Sequence, residues 1–163
     1  MKTIFITRHA KAIPPSNQVD DFDRWLNEKG FAQAEEIGAA MKDQNLIPDL
    51  IITSPADRAS TTAFLFSSAF EADQNNIREE KIIYEGHAKD LMGLISGVDK
   101  KYHHVMLIGH NPVLKDLISL LTNERPEHFS TCSIAVVSFN FSSWKEIKAG
   151  SGSLNSILIP SAG

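Results

Sequence analysis

The run Thr3-Ile4-Phe5-Ile6-Thr7 is apolar at every central position, so it predicts a short strand buried on both faces rather than one shared between core and solvent. Leu50-Ile51-Ile52-Thr53 and Val105-Met106-Leu107-Ile108 have the same character and predict two more such strands. Elsewhere the period changes. Phe31, Ala34, Ile37 and Met41 recur at helical spacing, with Glu35, Glu36 and Lys42 on the other side, which predicts an amphipathic helix. A second helix is predicted from Ser54-Pro55-Ala56-Asp57 to Phe70, with Ser54 as N-cap, Pro55 at the first helical position and an acid three residues after the serine. Ala88, Leu91, Met92 and Ile95 mark a third helix, and Leu114, Leu117, Ile118 and Leu121 a fourth, opened by His110-Asn111-Pro112 with Asn111 as cap.

Strand-period and helix-period segments thus alternate through most of the chain, as expected when helices cover a mostly parallel sheet. The stretch from Lys81 to Tyr84 is predicted as a further strand. After Cys132 the composition becomes β-type: Ile134 to Phe141 and Trp144 to Ala149, separated by two serines, predict an antiparallel hairpin on the sheet edge. Gly150-Ser151-Gly152-Ser153 reads as a turn and Leu154 to Pro160 as a final extended piece. The expected architecture is a three-layer α/β/α fold with a mostly parallel central sheet and an antiparallel C-terminal hairpin. The polar stretch Lys11 to Asn27, with two prolines and several acids, is expected to be a long functional loop.

Composition narrows the class without changing this picture. With 42% apolar and 22% charged residues among 163, the chain fits a single domain spanning 1–163. Met1-Lys2 is followed by too few apolar residues before Arg8 for a signal-peptide core, and no run approaches the roughly 18 apolar residues of a membrane span. One cysteine, Cys132, excludes an internal disulfide and fits a reducing cytoplasm, the expected location. The net charge of −4 argues against a general nucleic-acid binder, whose surface must neutralise many phosphates, but it permits a local basic pocket.

Three predicted strand ends carry a cationic or imidazole side chain at the same relative place: Arg8 and His9, then Arg58, then His110. In an open parallel sheet the strand C-termini share one edge, where ligands of such folds bind. Arg58 and His110 also fall at helix starts, where unpaired N–H groups and the positive dipole end favour an anion. Phosphate suits such a place.

These motifs carry a family resemblance. Arg8-His9 after a first strand, Ser54-Pro55-Ala56-Asp57-Arg58-Ala59 followed by Thr61-Thr62-Ala63, and Gly109-His110-Asn111-Pro112 together resemble the histidine phosphatase superfamily. Asp21-Phe22-Asp23-Arg24 and Leu26-Asn27-Glu28-Lys29-Gly30 resemble its small SixA-type phosphohistidine phosphatases, and Phe129-Ser130-Thr131-Cys132-Ser133 fits the same type less specifically. The resemblance implies a phosphoglycerate mutase-like fold with a phosphate pocket of Arg8, His9, Arg58 and His110. His9 would form a transient phosphohistidine, Arg24 and Asn111 would add substrate contacts, and no metal or cofactor would be needed. A neutral imidazole is required for attack on phosphorus, and the two arginines disfavour its protonated form while holding non-bridging oxygens. His110 could donate a further hydrogen bond to those oxygens.

Two positions depart from the superfamily pattern, Ala10 as a marker of the SixA-like branch and Trp25 with a bearing on substrate choice. Ala10 replaces the glycine usual after the nucleophile, which implies no positive φ there, and Trp25 stands where similar sequences often have proline, at the rim of the expected pocket. No trusted motif supplies the general acid that monoester cleavage needs; Glu85, His87 and Asp90 lie in the right region. A phosphorylated imidazole leaves readily without such an acid, which favours phosphohistidine in a protein, such as a phosphorelay component, with inorganic phosphate as product. The alternatives are a phosphatase of small phosphate monoesters and a non-catalytic phosphate-binding module. His103-His104 is no metal pair, since neighbours on a strand face opposite ways, and Cys132 lacks the setting of a thiol phosphatase. No Gly-Lys-Ser/Thr phosphate loop or dinucleotide fingerprint is present.

Overall fold

In the computed structural model, which describes residues 1–161, the apolar runs become the centre of one six-stranded sheet. Its strands are β1 (Lys2–Arg8), β2 (Leu50–Thr53), β3 (Ile77–Glu79), β4 (His104–Gly109), β5 (Ile134–Phe139) and β6 (Gly152–Leu158), in the spatial order β3-β2-β4-β1-β5-β6. The first four run parallel, while β5 is antiparallel to β1 and β6 antiparallel to β5. The sheet is therefore mostly parallel, as expected.

Alternation along each central strand divides its side chains between two cores. Ile4, Ile6, Leu50, Ile52, Val105 and Leu107 face a cluster closed by α4 (Ala88–Ser96) and α5 (Val113–Thr122). Phe5, Ile51, Met106 and Ile108 face the other, closed by α1 (Glu28–Asp43) and α2 (Asp57–Ala69). Helices thus bury both sheet faces, which is why these strands read as unbroken apolar runs. Asn27 caps α1, its side chain accepting from the Gly30 N–H at 2.9 Å. Gly30 is itself required by close approach, because a Cβ there would collide with the Lys11 carbonyl and push the loop off the helix. No helix among the described residues is long and apolar enough to cross a membrane.

The structure corrects several expectations. Lys81–Glu85 is a short helix, α3, not a strand; the edge strand is the polar Ile77–Glu79, and Glu80 already turns away after its N–H donates to the Thr53 carbonyl. Ile83 alone of this turn is deeply buried, which a helix achieves as well as a strand does. The C-terminal hairpin pairs β5 with Gly152–Leu158 rather than with the segment from Trp144 to Ala149. Ser143 and Glu146 form a capping box around a single 3₁₀ turn, and fully buried Trp144 donates its indole N–H to the Tyr102 carbonyl at 2.8 Å. Phe31 lies on the solvent side of α1, about half exposed. Ser54 and Asn111 are not helix caps: α2 starts after Ala56 and α5 after Pro112, and both polar side chains are engaged elsewhere.

Candidate active site

The parallel register brings three strand ends together. Arg8 on β1 is opposite Gly109 on β4, the His9 N–H donates to the Gly109 carbonyl at 3.1 Å, and the Ser54 N–H donates to the Ile108 carbonyl at 3.0 Å. Residues far apart in sequence thereby line one open cavity of about 790 Å³, bounded by Arg8, His9, Arg24, Arg58, His110 and Asn111, with Lys11, Asp21, Tyr84 and Glu85 also on its wall. His9 and His110 lie with ring centroids 5.1 Å apart.

His9 is 7% exposed, and its Nδ1 lies 2.7 Å from its neighbour's carbonyl, Ala10 O. A carbonyl only accepts, so Nδ1 carries the hydrogen and Nε2 the lone pair. Burial, opposed by the Ala10 hydrogen bond and reinforced by His110, Arg58 and Arg8, pushes the His9 pKa down to about 3. The backbone is fixed from α2: the Ala10 N–H donates to Thr62 Oγ1 at 3.0 Å, and that hydroxyl donates to the Arg58 carbonyl at 2.7 Å. Ala10 is not among the residues of positive φ, and its methyl is fully buried.

Arg58 sits in the first turn of α2 and is 5% exposed. It donates through Nη1 to the Asp21 carbonyl at 2.6 Å and through Nη2 to Asp21 Oδ2 at 3.0 Å, while Nη2 also lies 3.4 Å from His110 Nδ1. Arg8 donates to the Phe129 carbonyl at 3.1 Å and, among the described residues, has no carboxylate within ion-pair distance. Burial first and Arg58 second push its guanidinium pKa down. The Nε–H groups of both arginines are buried without a hydrogen-bond partner among the described residues. Two adjacent cations with spare donors suit a tetrahedral oxyanion.

The remaining sequence candidates fall into different places. Arg24 lines the cavity, donating from Nε to the Ile13 carbonyl at 3.0 Å and from Nη1 to Asp21 Oδ1 at 2.8 Å. Asn111 also lines it and shares the Phe129 carbonyl with Arg8, at 2.9 Å. Glu85 is on the wall but more than half exposed and paired with Lys81 at 3.5 Å. His87 and Asp90 lie off the cavity wall, where they form the capping box that starts α4. Trp25 is exposed and also off the wall. Cys132 is buried, its thiol pushed up to about 12 by burial and then Glu36. Among the described residues no group of three His, Cys, Asp or Glu side chains is placed to hold a metal ion.

Three residues with no site role assigned from sequence prove central to the geometry, one of them, Ser54, read there only as a helix cap. Asp21 accepts from Arg24, Arg58 and Tyr84; burial alone would raise its pKa, but those hydrogen bonds hold it well below the usual carboxylate range. Tyr84 packs edge-on against His110 at 5.5 Å and donates to Asp21 Oδ2 at 2.8 Å. Ser54, fully buried, lies 2.8 Å from His110 Nε2. The only signal in the sequence was that Asp21 and Ser54 belong to the quoted motifs; their partners are set by folding.

Known proteins share this fold. A sequence model of the histidine phosphatase superfamily, branch 1, matches residues 4–104. An Agrobacterium tumefaciens structure assigned as a phosphohistidine phosphatase SixA superposes with a TM-score of 0.83 at 30% identity, covering 98% of each chain. A protein histidine phosphatase SixA complexed with tungstate superposes with 0.83 at 21% identity over 97% of each chain. A Bacillus anthracis phosphoglycerate mutase shares the fold more distantly, with 0.67 at 17% identity over 95% of this chain and 92% of its own. With the family match covering more than half of the chain and the 30% likeness running over nearly all of it, this chain belongs to the histidine phosphatase superfamily and is of the SixA type.

Proposed function

We propose that the protein is a phosphohistidine phosphatase whose nucleophile is His9 Nε2. The observation that carries this reading is the state of the His9 ring: Nδ1–H is bound to Ala10 O, the ring is neutral, and the free lone pair is on the other nitrogen. Arg8 and Arg58 hold the non-bridging oxygens, with Arg24, His110 and Asn111 around them. Nε2 forms a bond to phosphorus as the P–N bond to the substrate imidazole breaks. That imidazole enters protonated on its other nitrogen and leaves neutral. His9 keeps Nδ1–H throughout, so the intermediate is an imidazolium whose charge the Ala10 carbonyl faces. Water then attacks phosphorus, Nε2 recovers its electron pair, and inorganic phosphate departs with the oxygen and protons of that water.

Among the described residues the two carboxylates on the cavity wall, Asp21 and Glu85, make poor acids, and this supports the substrate class. Asp21 is held ionised and has no proton to give, and exposed Glu85 is paired with Lys81. An alkoxide leaving group needs a proton, whereas a protonated phosphoimidazole does not. Glu85 on the cavity wall keeps one other reading in play, a phosphatase of small monoesters with Glu85 as acid.

The test measures phosphate release from a phosphohistidine peptide, an aryl phosphate and a sugar phosphate, with wild type and His9→Ala. Release from the peptide, lost by about 10³-fold or more in His9→Ala, is expected. Preference for the sugar phosphate, reduced by Glu85→Gln, would transfer the assignment to monoesters; binding without turnover would make the protein a phosphate-binding module. Activity surviving His9→Ala would refute the mechanism.

A further inference from the structure

Ser54 was expected to cap a helix and instead meets a catalytic-site histidine from beneath. Its Oγ accepts the Ala56 N–H at 3.2 Å and lies 2.8 Å from His110 Nε2, with the whole residue buried. Two assignments fit those distances. If Nε2 carries the ring hydrogen, Ser54 Oγ accepts twice and its own O–H is left buried with no acceptor among the described residues. If the hydroxyl donates to Nε2, every hydrogen at Ser54 is used, and the His110 hydrogen is on Nδ1.

On the anion side one contact competes, since a guanidinium N–H only donates and a bare Nδ1 would accept it. Nδ1 lies 3.4 Å from Arg58 Nη2, longer than an ordinary N–H···N bond, so that contact does little to hold a lone pair there. A bare Nδ1 would turn its lone pair toward a site built for negative charge. A protonated Nδ1 beside an Arg58 N–H makes two donors that converge on one oxygen.

We propose that Ser54 is a positioning residue: its hydroxyl donates to His110 Nε2 and fixes the Nδ1–H tautomer, so that His110 and Arg58 Nη2 grip the same phosphoryl oxygen. The inference rests on the phosphatase reading for its catalytic consequence, although the tautomer itself does not. Tautomer choice matters because His110 is neutral: burial first, then Arg58, push its pKa down to about 4, against an opposing effect of Asp21. A neutral imidazole offers one hydrogen, and Ser54 determines where it points.

Long-range ¹H–¹⁵N correlation spectra of the histidine rings in wild-type protein, with and without inorganic phosphate at pH 7, test the assignment directly. A protonated Nδ1 and bare Nε2 at His110 are expected in both. A protonated Nε2 in the phosphate complex overturns the proposal, with no variant required. Ser54→Ala is expected to shift His110 toward Nε2–H and to weaken inorganic phosphate binding and kcat by about tenfold each. Ser54→Thr, which keeps the hydroxyl, is expected to restore the ring pattern and the affinity. Unchanged tautomer and phosphate affinity in a folded Ser54→Ala protein would also overturn it. Should wild type show Nδ1–H and bind phosphate yet hydrolyse none of the three substrates, the function fails while the Ser54 assignment stands.

Discussion

Arg58 shows how much one side chain is asked to do. Its fork is held by the Asp21 backbone through Nη1 and the Asp21 carboxylate through Nη2, so its orientation is set before any ligand arrives. A lysine keeps the charge and cannot make both contacts. Arg58→Lys is therefore expected to lower kcat/KM on the phosphohistidine peptide by about 100-fold, the scale of losing one or two charge-assisted hydrogen bonds. Steady-state kinetics check this, and a loss below about threefold would mean that positive charge alone suffices at this position.

At the scale of elements, the proposed nucleophile His9 directly follows β1, but its position is enforced by α2. Thr62, on the second turn of that helix, bonds back to the Arg58 carbonyl and accepts the Ala10 N–H, tying the strand exit to the helix that carries Arg58. Thr62→Val keeps the shape and leaves the buried Ala10 N–H unpaired. The expected result is a stability loss of about 1–3 kcal/mol in urea unfolding. It should be accompanied by a fall in kcat larger than the rise in KM, because His9 is displaced while Arg8 keeps its bond to Phe129. Equal effects on both parameters would show that the helix holds the pocket as a whole rather than the nucleophile.

For the whole molecule, two neutral histidines, buried His9 and half-buried His110, impose a pH dependence on folding. Their folded pKa values are lowered to about 3 for His9 and about 4 for His110, against about 6.5 in the unfolded chain. Below pH 6.5 the unfolded chain binds more protons than the native one, so stability rises with pH there. Their contribution is complete above pH 6.5 and is lost as acid takes the protein through 6.5 toward 4. From pH 7 to pH 5 each histidine should cost at most about 2 kcal/mol. Denaturant unfolding at the two pH values checks this, with His110→Gln losing a correspondingly smaller amount of stability. A wild-type stability flat between pH 7 and 5 would mean that one or both rings titrate normally.

The elements buried on both sides were legible in the chain itself. Ile4 to Ile6, Leu50 to Ile52 and Val105 to Ile108 read as interior strands from their unbroken apolar character, and the structure pairs them in parallel. Arg8, His9, Arg58 and His110 were readable as a cluster for the same reason, since parallel strands bring their C-termini to one edge. Edge elements were not legible: Ile77–Glu79 is a strand because Ile51 and Thr53 offer it a partner, and Trp144 lies in a turn because Ser143 and Glu146 close it. Nor could the chain say which way a motif residue would face. Ser54 has the right spacing for a cap, yet α2 starts two residues later and leaves its hydroxyl to His110. Asp21 lies in a polar loop whose sequence specifies no partner; its three donors come from that loop, α2 and α3. Periodicity fixes what is buried, because burial follows from the chain's own composition. Hydrogen-bond partners across the site depend on distances between elements, and only the packed structure sets those.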